Sequence, residues 1–189
     1  MNGRQPGSAS CQHVEQYIYR YASPLGELTL ASDGQCLTGL WIEGQRFFAN
    51  ALIHNSSVKQ LPIFVQTCQW LDIYFGGQRP DFTPPLAPAG SLFRQKVWEI
   101  LLSIPYGQVV TYGSIAKKLA DGAKAMSAQA VGGAVGHNPI SIIIPCHRVI
   151  GAHGNLVGYG GGISKKIQLL KFEHIDTSGF SVPKHGFTL

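Results

Sequence analysis

Hydrophobic and polar positions in the first part of the chain follow the pattern of short strands. Residues 17–22 are rich in aromatic β-formers, and residues 27–32 alternate between apolar and polar side chains. Alternation with a period of two is typical of a strand with one buried face. The Asp33-Gly34 pair that follows is a strong hairpin signal, and residues 35–42 supply the next strand. We expect an antiparallel meander with one face exposed to solvent.

From residue 60 the apolar positions recur at steps of three and four, which is the period of a helix. Over residues 60–75 the apolar positions predict one buried face formed by Leu61, Phe64, Val65, Cys68, Leu71 and Phe75. Gly76-Gly77 is a typical helix end. Four prolines within residues 77–90 then exclude a helix or a central strand, so we interpret this stretch as a linker between domains.

The second half of the chain has the pattern of several short helices. Four residues stand where N-caps are expected: Ser91, Thr111, Ser127 and Ser164. The predicted inward positions are Phe93, Val97 and Leu101 in the first helix, Ile115 and Leu119 in the second, Val131, Ala134 and Val135 in the third, and Ile163, Ile167 and Leu170 in the last. The second and third helices suit a helix-turn-helix, and the alternative is an ordinary helical pair within a core.

Two features frame the third of these helices. Gly132 and Gly133 lie inside it, where each costs about 0.5–1 kcal/mol relative to alanine. Glycines tolerated there favour the close approach of another backbone, such as that of a nucleic acid. Asn138-Pro139 ends the helix, because the residue before a proline is pushed out of the helical region. Residues 140–144 then predict a short, buried, extended run.

These elements predict an α+β protein. It consists of a small N-terminal antiparallel sheet with a helix over residues 13–76, the linker over 77–90, and a mostly helical, helix-turn-helix (winged-helix-like) domain over 91–175. Residues 1–12 and 176–189 are rich in small and polar residues and are interpreted as tails.

Composition narrows the class of protein. The 189 residues contain no apolar run long enough for a membrane span and no secretory leader, so we expect no membrane partner. The four cysteines form no C-x-x-C pair, which favours a reduced intracellular protein without a metal site. Residues 91–189 carry ten Lys/Arg and four Asp/Glu, whereas residues 1–90 carry five and six. A basic half-chain favours a polyanionic partner, although such charges are more often simply solvated.

The candidate chemistry lies in one stretch, Pro145-Cys146-His147-Arg148-Val149, which follows three isoleucines. Cationic neighbours lower the pKa of a thiol, and the thiolate is the nucleophile. An isolated buried cysteine is more often a small hydrophobic residue, and that is the alternative interpretation. Glu173 ends the last predicted helix, where its charge opposes the helix dipole by about 0.3–1 kcal/mol. A carboxylate placed against this preference suggests that it pairs with a histidine, and the alternative interpretation is a solvated surface glutamate.

The stretch belongs to a longer pattern whose parts are Gly132-Gly133-Ala134, His137-Asn138-Pro139, Ile144 to Val149, and Gly158-Tyr159-Gly160-Gly161-Gly162. Over residues 91–174 the chain resembles the O6-alkylguanine-DNA alkyltransferases, also called methylated-DNA–protein-cysteine methyltransferases. The resemblance implies DNA repair by direct reversal. An alkyl group on O6 of guanine, or on O4 of thymine, in double-stranded DNA is transferred to Cys146. Each monomer reacts once and needs no cofactor.

The resemblance also implies roles for individual residues. His147 would activate Cys146 through a bridging water, Glu173 would orient the imidazole, Asn138 would hold the turn around the cysteine, and Tyr112 would protonate guanine N3. Substrate-binding residues would be Val135, Pro145, Val149, Tyr159 and Gly160, and DNA-binding residues would be Ala128, Gln129, Gly132 and Arg148. Gln129 stands where many members have an arginine that fills the gap left by the flipped base. Gly160 stands where a hydroxyl residue is frequent, and we expect it to enlarge the pocket.

Other classes of function are alternatives to this one. A non-enzymatic, alkyltransferase-like lesion-binding protein would lack the reactive Cys146. A helix-turn-helix regulator needs base-reading side chains, which the glycine-rich third helix hardly offers. A Cys-His peptidase or acyl hydrolase is a more distant alternative, and no phosphate-binding glycine spacing is present. We expect the protein in the cytoplasm of a bacterium, or in the nucleus of a eukaryote.

Overall fold

The computed structural model describes residues 15–45, 57–120 and 126–182. Its first part is a sheet of β1 (Tyr17–Ser23), β2 (Gly26–Ser32), β3 (Leu37–Ile42) and β4 (Ser57–Val58), in the order β3-β2-β1-β4. The pairs β1/β2 and β2/β3 are antiparallel, so the predicted meander is confirmed. The short β4 runs parallel to β1 and was not predicted. The predicted tail over residues 1–12 lies outside the described residues.

The expected solvent-exposed face is wrong for β2 and β3, because both strands are buried on both faces. All residues from Leu28 to Ser32 are buried. On the face away from the core, the ring of Trp41 lies across Gly39, where an added Cβ would fall 1.8 Å from a ring carbon. The indole thereby covers a face that alternation alone assigns to water.

Helix α1 (Pro62–Phe75) covers the other side of the sheet, but the predicted face was only partly right. Phe64 and Leu71 are buried as expected, whereas Val65 is 44% exposed. The buried positions of α1 are Ile63, Phe64, Thr67, Trp70, Leu71 and Tyr74. Apolar residues occur around most of this helix, so periodicity permits two faces, and the packing of the large rings of Trp70 and Tyr74 decides between them.

The proline-rich stretch contains no helix, as predicted, and it runs along the free edge of β3. The amide of Leu37 donates to the carbonyl of Pro85 at 2.8 Å, and the amide of Ala87 donates to the carbonyl of Leu37 at 2.9 Å. The linker therefore protects part of a sheet edge.

Helices α2 (Leu92–Leu102), α3 (Tyr112–Leu119) and α4 (Ala128–Gly136) pack together as the helix-turn-helix part. Their predicted caps are confirmed: Ser91, Thr111 and Ser127 each accept a hydrogen bond from the amide three residues later. Strands β5 (Val110–Thr111) and β6 (Val149–Ile150) form a parallel pair beside them.

Helix α5 (Ile163–Phe172) begins two residues earlier than expected. Its N-cap is Gly162, with φ of 91°, and the predicted cap Ser164 lies inside the first turn. A φ in this range suits glycine and not serine, which explains the shift. The buried residues of α5 are Lys166, Leu169 and Leu170, whereas the predicted Ile163 and Ile167 are half-buried.

The two predicted domains share one hydrophobic core. The stretch over residues 140–144 is buried as predicted, but it forms turns and not an extended run. Ile142 has φ of 71°, a left-handed conformation that costs a β-branched residue about 1–3 kcal/mol. The amide of Leu40 in β3 donates to Pro139, and the amide of Ser141 donates back to Leu40. These bonds join the meander directly to the segment that leads to Cys146.

The predicted C-terminal tail is also corrected. Residues 176–182 continue the fold: the amide of Leu156 donates to the carbonyl of Ser181 at 2.8 Å, and Phe180 packs against a small cluster around Ile150 and Leu170. The remaining residues, 183–189, lie outside the described residues. None of the helices in the described ranges has the length and apolar character that crossing a bilayer requires.

Candidate active site around Cys146

Cys146 opens a single 3-10 turn, Cys146–Arg148, between the buried isoleucines and β6. Asn138 holds the turns that precede it. The side-chain amide nitrogen of Asn138 donates to the carbonyls of Ile140 and Ile144, at 3.2 and 2.8 Å, and its oxygen accepts from the amide of Ile140 at 3.0 Å. The side chain of Asn138 thus replaces backbone pairing within a tight loop, and it fixes the position of the thiol.

The thiol itself is almost completely enclosed, with Cys146 only 6% exposed. Burial raises the pKa of Cys146, because the thiolate is poorly solvated there, while a hydrogen bond from Asn138 and the charge of Lys166 oppose this rise. The cation that acts on the thiol is therefore Lys166 and not the neighbouring Arg148. A thiol of this kind needs a base to become a nucleophile.

The next residue in the chain, His147, is the candidate base. The His147 Nε2 atom is 2.6 Å from Oε1 of Glu173, and both side chains are fully buried. Because the carboxylate can only accept, Nε2 carries the hydrogen, and Nδ1 holds a free lone pair. Nδ1 is buried and has no hydrogen-bond partner among the described residues. Burial lowers the pKa of His147, although Glu173 opposes this, so the neutral base is the favoured form.

The carboxylate of Glu173 accepts four hydrogen bonds. Oε1 accepts from His147 and from the hydroxyl of Tyr74 at 3.0 Å, and Oε2 accepts from Arg148 Nε at 2.8 Å and from the amide of Gly107 at 3.1 Å. Burial alone would raise the pKa of Glu173, but the bonds and charges of His147 and Arg148 lower it to about 2. Glu173 is therefore ionised and held in one orientation.

The prediction that Arg148 contacts DNA is corrected by this arrangement. Only 10% of its side chain is exposed, and its guanidinium donates to Glu173 and, from Nη1, to the carbonyl of Ile104 at 2.6 Å. The side chain points into the protein because it balances the buried carboxylate, so it offers nothing to phosphates.

Two buried polar side chains of the site, Tyr74 and Lys166, were not identified from the sequence. Tyr74 comes from α1, and no local pattern distinguishes it from a core aromatic residue. Lys166 did carry a signal, since it lies three and four residues before Leu169 and Leu170 and thus on the buried face of α5. Its Nζ donates to the carbonyls of Val149 and Val157, at 2.6 and 2.9 Å. Burial lowers the pKa of Lys166 to about 8.

Of the predicted substrate residues, Val135 and Val149 belong to the same buried cluster as Cys146, and Pro145, which precedes Cys146 in the chain, is also buried. The hydroxyl of Tyr159 is enclosed without a hydrogen-bond partner among the described residues. The hydroxyl of Tyr112 donates to the carbonyl of Val157 at 3.2 Å. Gly160 faces a side chain from the first domain: a Cβ on it would lie 3.5 Å from Cγ of Gln45.

Gln45 therefore borders the space that a larger residue at position 160 would enter. The oxygen of the Gln45 amide accepts from the hydroxyl of Ser141 at 2.9 Å and from the amide of Ile42 at 3.2 Å. These bonds hold the amide side chain of Gln45 in place beside Gly160.

The other three predicted DNA-binding residues, Ala128, Gln129 and Gly132, lie in α4. Ala128 and Gln129 are exposed, and they line a cleft of about 320 Å³ together with Gly132 and Tyr112. Gly133 faces open space, since a Cβ added there would meet nothing within 4 Å. The surface of α4 at Gly133 therefore carries no side chain. In the described part of the chain no group of three or more His, Cys, Asp or Glu side chains could hold a metal.

The fold and the site together define an α+β protein in which a helix-turn-helix domain carries a thiol backed by histidine and glutamate. Comparison with known sequences places it further. Residues 17–88 match the 6-O-methylguanine DNA methyltransferase ribonuclease-like domain, and residues 92–175 match the DNA binding domain of the same proteins. The chain belongs to the 6-O-methylguanine DNA methyltransferase family.

Individual relatives agree with this assignment. A methylated-DNA–protein-cysteine methyltransferase of Mycobacterium leprae is 45% identical over 155 residues, covering 80% of this chain and 88% of the relative. One from Haemophilus influenzae is 41% identical over 160 residues, covering 84% and 87%. Among solved structures, Mycobacterium tuberculosis OGT in complex with DNA matches with a TM-score of 0.72 and 44% identity, covering 85% of this chain and 92% of that one.

Proposed function

We propose that this protein repairs alkylated DNA by moving the alkyl group from O6 of guanine to Cys146 of its own chain. The observation that carries the proposal is the buried contact of His147 with Glu173 immediately beside the family cysteine. The thioether product is stable, so each molecule reacts once. The alkyl group comes from the DNA, and the reaction uses no donor cofactor.

In the reaction, Nδ1 of His147 takes the proton of the Cys146 thiol through a water molecule, and Glu173 stabilises the imidazolium that forms. The sulfur then attacks the alkyl carbon, an S–C bond forms, and the C–O6 bond breaks. The electron pair of that bond stays on the guanine. Tyr112 gives its hydroxyl proton to N3 of the departing base. It afterwards recovers a proton that derives from the His147 imidazolium. Lys166 supports the anionic sulfur through its charge.

Access to the thiol requires that the damaged nucleotide leave the base stack, which costs a few kcal/mol. The proposed contact with double-stranded DNA is the exposed start of α4, at Ala128 and Gln129, together with the adjacent surface at Gly132 and Gly133. Gln129 fills the gap in the stack, and the flipped base enters the pocket walled by Tyr159. The protein works as a monomer in the compartment that holds the DNA, the cytoplasm of a bacterium.

The proposal is tested by the intact mass of the protein before and after incubation with duplex DNA containing O6-methylguanine. One methyl group per protein is expected, on the peptide that contains Cys146, and Cys146→Ala abolishes the gain. Cys68→Ala, which changes a half-buried cysteine in α1, serves as the matched control and reacts like the wild type. Release of more than one repaired guanine per protein molecule would contradict the proposal. Binding of the lesion without any gain of mass would favour the lesion-binding alternative.

A further inference from the structure

The hydroxyl of Tyr74 lies inside the group of side chains that prepares the thiol, although Tyr74 belongs to the first domain. It donates to Oε1 of Glu173 at 3.0 Å, and its oxygen is 3.3 Å from Nε2 of His147. The carbonyl of Leu169 lies at 3.5 Å. Oε1 thus accepts from the histidine and from the tyrosine at the same time.

Packing alone does not account for this hydroxyl. The ring of Tyr74 stacks on Trp70 and meets Phe75, Tyr106 and Phe172 at steep or tilted angles. A phenylalanine would fill the same space and make the same ring contacts. A fully buried hydroxyl is unfavourable unless it is hydrogen-bonded, and its shortest bond is the one to the Glu173 carboxylate.

We propose that Tyr74 is a positioning residue of the alkyl-transfer reaction, through which the first domain orients Glu173 and sets the basicity of His147. This inference rests on the proposed roles of His147 and Glu173. The tyrosine hydroxyl satisfies one lone pair of Oε1, so that the carboxylate draws the Nε2 proton of His147 less strongly. The imidazole then stays neutral and able to accept the thiol proton.

The groups that face His147 determine how a change at Tyr74 is expressed. They come from α1, from the 3-10 turn and from α5 with the residue that follows it: Tyr74, Cys146, Arg148, Lys166 and Glu173. Glu173 is ionised above pH 4.5, and Arg148 is always charged. Lys166 titrates near pH 8 and is cationic below pH 7, so between these limits the neighbours keep one charge state.

Removal of the Tyr74 hydroxyl should therefore shift the pKa of His147 in a defined direction. In Tyr74→Phe the carboxylate loses a donor and stabilises the imidazolium more strongly, so His147 stays protonated to a higher pH. The acid limb of the pH–rate profile, where the transfer rate rises as His147 loses its proton, therefore moves to higher pH. We expect the transfer rate to fall about tenfold at low pH and to change little at the upper end of the acid limb. A hydrogen bond to a charged group typically changes an equilibrium by about this factor.

The experiment measures single-turnover transfer to Cys146 across the acid limb with the full-length protein. Free O6-benzylguanine and duplex containing O6-methylguanine are the two substrates, and both must show the same shift, because Tyr74 lies away from the α4 surface. Tyr21→Phe is the matched control. It removes a hydroxyl that donates at 2.6 Å to Asp72 of the same helix and has no contact with Glu173, and its profile should coincide with the wild type.

A second variant keeps the test informative if Tyr74→Phe folds poorly, as judged by its thermal unfolding. Fluorotyrosine at position 74 retains the ring and makes the hydroxyl a stronger donor, so it should move the acid limb to lower pH. Equal slowing by Tyr74→Phe at every pH, or no change at all, would overturn the inference and leave Tyr74 as a packing residue.

Glu173→Gln separates this inference from the function beneath it. If Glu173→Gln leaves the rate unchanged, the proposed role of the carboxylate fails, and the inference fails with it. If Glu173→Gln slows transfer with DNA affinity preserved while Tyr74→Phe keeps the wild-type profile, only the inference is refuted.

Discussion

Nε of Arg148 lies 2.8 Å from Oε2 of Glu173, in an ion pair that is almost closed to solvent. The guanidinium is further held by the carbonyl of Ile104. The negative charge that orients His147 is therefore already balanced before the histidine accepts a proton. A carboxylate held in this way stays ionised, so it stabilises the imidazolium without taking the proton itself.

The first prediction follows from that ion pair. Arg148→Met leaves the charge of Glu173 buried without its cation, and we expect a loss of about 3–5 kcal/mol in the free energy of unfolding. Denaturant-induced unfolding measures it. At temperatures where the variant is folded, the salt dependence of its DNA binding should equal that of the wild type, because the side chain does not reach phosphates. Lys118→Met, at an exposed lysine of α3, is the control and should leave stability nearly unchanged. An equally stable Arg148→Met would show that the pair balances nothing.

The second prediction concerns acid stability. The pKa of Glu173 is about 2 in the folded protein, against an ordinary value of 4.5, so its contribution to stability is present above pH 4.5 and is lost as the pH falls through about 2. Glu173→Gln lacks this dependence. The stability difference between wild type and Glu173→Gln should be greatest near neutral pH and shrink towards pH 2. Urea unfolding over a pH series measures the difference, and a constant difference would contradict the assignment.

The third prediction concerns Lys166. Its charge favours the thiolate of Cys146, so Lys166→Met should slow the reaction of Cys146 with a small thiol-reactive alkylating agent at neutral pH. The folded pKa of about 8 lies below the ordinary 10.5, which means that the unfolded chain binds the proton more tightly between these values. Wild-type stability should therefore gain from this residue as pH rises from 8 to 10.5, and Lys166→Met should not. Lys171→Met, at an exposed position of the same helix, controls for lost charge in general. Equal effects of the two variants would assign the change to overall charge.

The fourth prediction concerns Gln129 at the mouth of the cleft beside α4. Glutamine can fill a vacated stack but gains no attraction from phosphates, so it should support flipping less well than arginine would. Gln129→Ala should slow reaction with alkylated duplex and leave reaction with free O6-benzylguanine nearly unchanged. Gln129→Arg should speed the duplex reaction or tighten binding. Equal slowing of both substrates by Gln129→Ala would mean that the residue supports the pocket instead.

Short-range interactions were readable in the amino-acid sequence. Ser91, Thr111 and Ser127 cap their helices because a side-chain oxygen reaches an amide three residues away, whatever the rest of the fold does. The meander follows from local alternation and one Asp-Gly turn. The family cysteine and its histidine were found through motif residues. The pairing of Glu173 with a histidine was expected from the unfavourable place of a carboxylate at a helix end, and it is observed.

Tertiary structure alone decided where the other polar groups point. Arg148 points inward because it pairs with the buried carboxylate of Glu173, 25 residues away in sequence. Tyr74 meets Glu173 across 99 residues and across two domains, and nothing within its own helix marks it apart from Trp70 or Phe75. Local propensity acts over about four residues, whereas the energy of these buried groups depends on which distant partner arrives. The sequence by itself therefore determined the nucleophile and the helices around it. The packing of α1 against α5 determined the surroundings of His147, the base that serves this nucleophile.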